Sequence, residues 1–297
     1  MVSASDNVVA FVNLDHDDKH YVGEKAAGIG GMINAKFSVL PGFVVTQNAY
    51  FDFLRQNHLD TKISHLLGSI NFDHDDSINQ VSKHIKNLIN KTSIPQQLVD
   101  AVIAHYEKMG SDPVRLHASV ISGDPRQKIR GSVWVEDVVG EAALLASIRD
   151  LWSGLFDRDL LIYRNAKNIN HLKSGVTVAV QHHLTPHLKG KIFTEHNKPG
   201  KMLVEVEDAS GVKVSYEVDV AKEEVKKHSV VNHAKVIVRD NIDYTNYDIL
   251  DGGEILALAT YGGEIEKHFY HSQEIDWILS DGKYFISEVK EITYAAN

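Results

Sequence analysis

The spacing of apolar residues changes along this chain, and the change limits the folds available to it. Residues 77–109 and 140–168 carry apolar side chains every three or four positions, which predicts helices, and Pro95 divides the first stretch into two. Residues 112–140 and those after 175 instead hold short β-branched segments separated by glycines, which are typical of strands. Helices, strands, one more helix and a terminal hairpin predict an α+β fold with antiparallel sheets rather than a doubly wound parallel sheet.

Composition excludes several classes of function. The 297 residues are enough for one large or two modest domains, and the formal net charge of −9 argues against nucleic acid or an anionic membrane as the main partner. There is no cysteine, which excludes disulfides, thiolate metal ligands and a cysteine nucleophile. The N-terminal residues become acidic too early for a secretory signal, and no apolar run approaches the ~18 residues of a membrane span. We therefore expect a cytoplasmic protein.

The segment YVGEKAAGIGGMINAKFSVLPGFVVTQNAY, residues 21–50, places Lys25 among small residues and glycines. A lysine supplies a mobile positive charge for a phosphate, and small neighbours let backbone N–H groups approach the same anion. The alternative is a solvated lysine beside the start of a helix. Both interpretations stay open from the residues alone.

Arg115 lies at the start of an apolar strand, in the sequence PVRLHA. A buried arginine needs a carboxylate or a phosphate as its partner, so a structural ion pair and a phosphate contact are equally open. The loop that follows, SVISGDPRQKIRGSVWVED, carries three basic residues, and a solvated basic loop is the simpler interpretation of them.

The C-terminal segment SQEIDWILSDGKYFISEVKEIT predicts a hairpin that turns at residues 280–283. Side chains two positions apart share a face of a strand, so Glu274 and Asp276 point the same way, as do Glu288 and Lys290. Carboxylates that share a face can hold Mg²⁺ together with nucleotide phosphates. They can equally be the solvated face of an edge hairpin.

Five segments, in order from about residue 20 to 294, together resemble one family: the nucleotide-binding domain shared by phosphoenolpyruvate synthase, pyruvate phosphate dikinase and rifampin phosphotransferase. VGEKAAGIGGMI…LPGFVVTQNAYFDFL is similar to its opening, and VRLHAS falls where the family has V-R-S-S-A. GEAALLASIRDLWSGLFDRDLLIYR resembles a family helix. VAVQHHLTPHLKGKIFTEH and the terminal hairpin resemble two family strand segments.

The resemblance implies a two-lobed, ATP-grasp-like α+β fold with lobes at 1–175 and 176–297, and ATP and Mg²⁺ as cofactors. It implies that Lys25, Arg115 and Lys290 act on the transferring phosphates. Asp276 and Glu288 would hold the metal. The remaining nucleotide contacts would come from Gly131, Gln181, His183, Leu184 and Glu274.

The implied activity is the transfer of a phosphoryl or pyrophosphoryl group from ATP to a histidine on a partner domain or protein. We expect this chain to be an excised domain or a separate subunit, because relatives continue into a histidine-bearing carrier domain.

Several positions depart from the family pattern. Leu116 and His117 replace two serines, and the loop before residue 135 holds Ser132, Val133 and Trp134 where the family has polar groups. A G-L-G-E stretch has no clear counterpart, Glu288 replaces a glutamine and Lys290 replaces an arginine. The alternative function is therefore a degenerate, non-catalytic nucleotide-binding or regulatory module of the same fold.

Overall fold

The computed structural model describes residues 2–3, 6–122, 132–196, 200–232 and 248–292. The chain forms two compact units, one of Met1–Asn34 and Pro41–His183, the other of Ala35–Leu40 and Leu184–Asn297. The sequence-based division lay at 175/176. The observed boundary is later because the strand beginning at Gly175 pairs with two strands of the first unit. Residues 35–40 join the second unit, where the Ser38 carbonyl accepts a hydrogen bond from the N–H of Ile286 (2.8 Å).

A five-stranded antiparallel sheet organises the first unit, in the order β1-β2-β5-β3-β4. Its strands are β1 (Val8–Ala10), β2 (Gly42–Val45), β3 (Val114–Ile121), β4 (Ser132–Val138) and β5 (Gly175–His182). The helices described in this unit are α1 (Lys19–Val22), α2 (Glu24–Asn34), α3 (Gln47–Gln56), α4 (Leu59–Gly68), α5 (Asp75–Lys91), α6 (Gln96–Lys108), α7 (Glu141–Ser153) and α8 (Arg158–Ala166).

The predicted division at Pro95 is confirmed, since α5 ends at Lys91 and α6 begins at Gln96. The single helix predicted over residues 140–168 differs from the structure in one respect. It is split into α7 and α8 by a 3₁₀ turn, Gly154–Phe156. The break lies at Gly154, which is a weak helix former, and Asp157, which follows the turn, has a ψ of 142° that no α-helix allows.

The two faces of the first sheet differ in polarity because successive side chains of a strand alternate between faces. One face packs into the main apolar core, and it carries Val114, Leu116 and Ala118 of β3 with Val176, Val178 and Val180 of β5. The opposite face carries Arg115, His117 and Ser119 of β3 with Thr177 and Gln181 of β5. The polar face is where the candidate phosphate residues of this unit lie.

The second unit contains a six-stranded antiparallel sheet in the order β11-β10-β6-β7-β8-β9. Its strands are β6 (Leu188–Phe193), β7 (Met202–Asp208), β8 (Val212–Asp219), β9 (Glu224–Asn232), β10 (Gln273–Ser280) and β11 (Lys283–Glu291). Helix α9 (Gly252–Phe269) begins with a capping box, in which Asp251 accepts from the N–H of Glu254 and Glu254 accepts from that of Asp251.

One face of the second sheet is covered by α9, and Ile192, Val204 and Ile275 are fully buried there. Helix and sheet are so close that a Cβ at Gly262 would lie 2.8 Å from Cγ2 of Ile192. The neighbouring residues Lys191, Glu205 and Asp276 point to the opposite, polar face. The architecture is thus α+β, with antiparallel sheets and flanking helices, as predicted.

Candidate functional site

Lys25 lies in the first turn of α2, directly above the polar face of the first sheet. Helix α1 ends at Val22 and is followed by Gly23, whose φ of +85° favours glycine, and α2 begins at the next residue. A Cβ at Gly23 would lie 3.1 Å from Oγ1 of Thr177 and 3.2 Å from Cβ of Ser119, so this turn rests on β5 and β3. The close contact brings the N-terminus of α2, which favours anions, onto the polar face.

Arg115 and Gln181 are opposite each other across β3 and β5. The side-chain oxygen of Gln181 accepts hydrogen bonds from Nε (3.2 Å) and Nη2 (2.7 Å) of Arg115. Gln181 is almost completely buried, so its amide is a fixed support for the guanidinium. The prediction from sequence gave Gln181 a direct nucleotide contact. The geometry adds that Gln181 orients Arg115.

Trp134 joins these two cations in space. The ammonium of Lys25 lies 3.6 Å from the centroid of the indole ring, and the guanidinium carbon of Arg115 lies 5.1 Å from it. His117, which pairs with Trp134 across β3 and β4, has its ring centroid 4.4 Å from that of the indole. Two positive groups on one aromatic ring form a compact cationic site, which suits an anion with several charges.

The sequence singled out Trp134 only as a departure from a family pattern, and did not reveal that it contacts Lys25. The contact joins residues more than a hundred positions apart, and it depends on the register of β4 against β3. Gly131, the remaining predicted contact on that loop, lies outside the described residues.

His183 and Leu184 fall on either side of the boundary between the two units. The backbone N–H of His183 donates to the carbonyl of Pro113 (2.8 Å), and its Nε2 lies 3.1 Å from Oδ1 of Asp137. That N–H is therefore already used within the first unit. A purine edge would have to use the other backbone groups of this segment.

In the second unit, β10 and β11 form the predicted hairpin, and Asp281 and Gly282 both have positive φ at its two-residue turn. Asp276 is directly opposite Glu288, and Glu274 is directly opposite Lys290. Each strand's pair therefore shares a face, as predicted. Since opposite residues of an antiparallel pair also share a face, the register adds that all four side chains point to the same side of the sheet.

A lysine that the sequence did not single out lies among these acids. Lys191 of β6 pairs with Asp276 of β10, donates to Oδ1 of Asp276 (2.7 Å), and also donates to Oε1 of Glu274. Partial burial lowers the pKa of Lys191, but the hydrogen bonds to Asp276 and Glu274 outweigh this effect and hold the pKa above its usual value. The ammonium therefore stays charged at physiological pH.

The donor chemistry of the hairpin fits Mg²⁺, which prefers carboxylate oxygens and completes its shell with water and phosphate. Asp276 and Glu288 supply two such groups from facing positions. Each is nevertheless next to a lysine, since Lys191 contacts Asp276 and the ammonium of Lys290 lies 3.2 Å from Oε2 of Glu288. In the described part of the chain, no three histidine, aspartate or glutamate side chains converge as a metal-binding set.

The predicted site residues thus form one group in each unit. Lys25, Arg115 and Gln181 lie together on the first sheet, with Trp134. Glu274, Asp276, Glu288 and Lys290 lie together on the second sheet, with Lys191. No helix in the described ranges is long and apolar enough to cross a membrane.

Comparison with known proteins gives one family match over almost the entire chain. Residues 19–294 match the family model described as pyruvate phosphate dikinase, AMP/ATP-binding domain. A probable phosphoenolpyruvate synthase of Methanothermobacter thermautotrophicus is 26% identical, over 96% of this chain and 46% of its own length.

Two further relatives match in the same way. A phosphoenolpyruvate synthase of Aeropyrum pernix is 31% identical over 61% of this chain and 23% of its own length. A rifampicin phosphotransferase of Bacillus cereus is 25% identical over 96% of this chain and 36% of its own length. The chain therefore spans less than half the length of each of these three relatives.

Proposed function

Because this chain belongs to the pyruvate phosphate dikinase AMP/ATP-binding domain family, we propose that it binds ATP with Mg²⁺ and passes a phosphoryl or pyrophosphoryl group to a histidine on a partner domain or protein. The observation that most supports this proposal is the convergence of Lys25 and Arg115 on the Trp134 ring. Two neighbouring cations suit a polyphosphate, because each can neutralise part of its negative charge.

The proposed transfer breaks one phosphorus–oxygen bond and forms one phosphorus–nitrogen bond. The lone pair of the acceptor imidazole nitrogen attacks the γ-phosphorus, and ADP leaves with the electrons of the broken bond. For pyrophosphoryl transfer the attack is on the β-phosphorus, and AMP leaves. Catalysis of either reaction consists mainly of positioning and charge neutralisation.

Lys25 and Arg115 would neutralise the charge that develops on the moving phosphate and the leaving oxygen. Gln181 acts as a positioning residue because it holds Nε and Nη2 of Arg115 through one amide oxygen. Lys290 would add positive charge from the hairpin. A lysine there contributes a point charge without the paired donors of an arginine.

Asp276 and Glu288 are the residues that would hold Mg²⁺, with Glu274 beside them on the same face. When bound, the ion supplies charge neutralisation to the phosphate oxygens. In the absence of the ion, Lys191 and Lys290 balance the negative charge of Asp276 and Glu288.

A second candidate function is a nucleotide-binding or regulatory module without turnover. One feature favours it: the ammonium of Lys191 already pairs with Glu274 and Asp276, the acids of the hairpin where the metal would bind. In this case ATP binding persists and no group is transferred.

Nucleotide binding is tested first, by isothermal calorimetry with Mg-ATP on the wild type, Lys25→Ala and Arg115→Ala. We expect each variant to bind at least about tenfold more weakly, because each loses a charged contact to phosphate. Lys19→Ala is the matched control, since Lys19 is exposed in the adjoining helix α1. Equal affinity of the wild type and both site variants would contradict the proposal.

Transfer is tested separately with ATP labelled at the γ- or β-phosphorus and a histidine-bearing carrier domain from a relative. Acid-labile, base-stable label on the carrier supports the phosphotransferase, and the labelled position that transfers distinguishes phosphoryl from pyrophosphoryl transfer. Nucleotide binding without any label on the carrier supports the regulatory module instead.

A further inference from the structure

Lys191 occupies the centre of the acidic group on the second sheet. Its strand β6 lies between β10 and β7, and Lys191 is in register with Asp276 on one side and Glu205 on the other. Its ammonium contacts both Glu274 and Asp276, and only 34% of its side chain is exposed. A partly buried ammonium between two carboxylates is a strong competitor for their lone pairs.

The third carboxylate of the hairpin also has a lysine beside it, because Lys290 lies 3.2 Å from Glu288. Glu274, Asp276 and Glu288 contribute three negative charges, while Lys191 and Lys290 contribute two positive charges. Most of the charge that would attract a divalent ion is therefore already balanced by the chain itself.

We propose that Lys191 is an internal cation of this acidic site, and that a divalent metal ion binds Asp276 only by displacing the Lys191 ammonium. The inference rests on the proposed function, in which these acids hold the metal that accompanies ATP. It adds that the protein without nucleotide binds the metal weakly, because the Lys191 ammonium already pairs with Asp276. An ammonium and a divalent ion repel each other, and both are attracted to the same two carboxylates.

Nucleotide changes this competition. A displaced ammonium needs another anionic partner, and a triphosphate supplies one. Metal and nucleotide therefore bind together, each improving the affinity for the other, as linkage between two ligands requires. Lys191 therefore makes metal binding at Asp276 depend on the presence of nucleotide.

The direct test is to titrate the protein with Mn²⁺ in the absence of nucleotide. The electron paramagnetic resonance signal of the free ion measures how much Mn²⁺ is bound. We expect Lys191→Met to bind Mn²⁺ on the order of tenfold more tightly than the wild type, because a competing positive charge is gone. Lys189→Met is the matched control. Lys189 lies on the same strand and face, but its ammonium pairs with Glu207 at 3.1 Å, so the affinity should stay at the wild-type value.

Two further variants locate the effect. Lys191→Arg keeps the positive charge and should bind Mn²⁺ as weakly as the wild type. Adding Asp276→Asn to Lys191→Met should abolish the gain, since the freed carboxylate is lost. Circular dichroism melts of each variant establish that the unit is folded. An unchanged Mn²⁺ affinity in folded Lys191→Met, or a gain that persists with Asp276→Asn, would overturn the proposal.

Calorimetry with ATP separates this inference from the proposed function. If the wild type binds ATP through Lys25 but Lys191→Met gains no Mn²⁺ affinity, only the proposed role of Lys191 is rejected. Wild type that binds no ATP rejects the proposed function, and the Mn²⁺ result then still decides whether Lys191 competes with metal at these acids.

Discussion

Arg115 and Gln181 are in register on adjacent antiparallel strands, and one amide oxygen of Gln181 accepts two hydrogen bonds from the Arg115 guanidinium. A lysine at position 115 would keep the charge but could not present Nε and Nη2 in a fixed plane. We expect Arg115→Lys to weaken Mg-ATP binding by about tenfold, since a charged hydrogen bond contributes roughly 1.5–3 kcal/mol. Calorimetry with Mg-ATP measures the change.

Arg158→Lys is the control for this substitution. Arg158 lies in the first turn of α8 and pairs with Asp75 and Asp159. Its replacement should leave nucleotide affinity unchanged. An unchanged Mg-ATP affinity in Arg115→Lys would show that the fixed plane of the guanidinium donors is unimportant for binding.

Trp134 should report nucleotide binding by fluorescence. The chain has three tryptophans, of which Trp152 and Trp277 are almost completely buried, whereas Trp134 is 36% exposed and lies against Lys25. A triphosphate that contacts Lys25 has to change the surroundings of this indole. We expect ATP to alter tryptophan emission in the wild type and not in Trp134→Phe, and an equal signal in both proteins would contradict the contact.

The same ring should also affect affinity. The Lys25 ammonium is buried against the indole, so phosphate binding requires this contact to loosen. A cation–π contact contributes about 0.5–2 kcal/mol, and Trp134→Ala should therefore bind ATP several-fold more tightly by calorimetry. Weaker binding in Trp134→Ala would mean that the indole supports the nucleotide instead.

Gly190 is essential to the second sheet because it has no room for a side chain. A Cβ there would lie 1.9 Å from the carbonyl oxygen of Glu205 and 2.7 Å from Cζ2 of Trp277. We expect Gly190→Ala to lower the free energy of unfolding by about 3 kcal/mol or more. Urea unfolding followed by tryptophan fluorescence measures the loss.

Gly68→Ala provides the comparison, since Gly68 ends α4 and a Cβ there meets no atom within 4 Å. An alanine in a helix is favoured over glycine by up to about 1 kcal/mol, so stability should stay level or rise. Equal unfolding curves for Gly190→Ala and Gly68→Ala would contradict the close packing of β6.

Stability should fall in mild acid because of His171. Burial, and next the positive charge of Arg164, lower the pKa of His171 to about 4, against an ordinary value of 6.5. The unfolded chain therefore takes up the proton first. The contribution of the neutral ring to stability is complete above pH 6.5, declines as the pH falls toward 4, and is constant below.

His171→Phe removes the titrating group and keeps a ring beside Phe72, on which the imidazole is stacked with an angle of 5° between the planes. The difference in unfolding free energy between His171→Phe and the wild type should grow as the pH falls from 6.5 to 4. Urea curves at several pH values measure it. A constant difference over that range would show that the pKa of His171 is the same in the folded and the unfolded protein, which would contradict the prediction.

The sequence predicted the helices around Pro95, the terminal hairpin and the α+β class, because each depends on the spacing of apolar residues or on local turn residues. It also predicted that Glu274 and Asp276 share a face, which follows from the two-residue repeat of a strand. It missed the break at Gly154, where a weak helix former begins a 3₁₀ turn inside an otherwise continuous apolar pattern.

Local periodicity and motif order were therefore determined by the sequence alone: alternation, spacing and turn chemistry act over a few residues. Only the tertiary structure decided that Trp134 lies against Lys25 and that Lys191 lies between Glu274 and Asp276. Those neighbours are separated by 83 residues or more, and they meet through strand registers and a helix packed on a sheet. A shift of one residue in either register would turn the side chains of that strand to the opposite face, which no local pattern reveals.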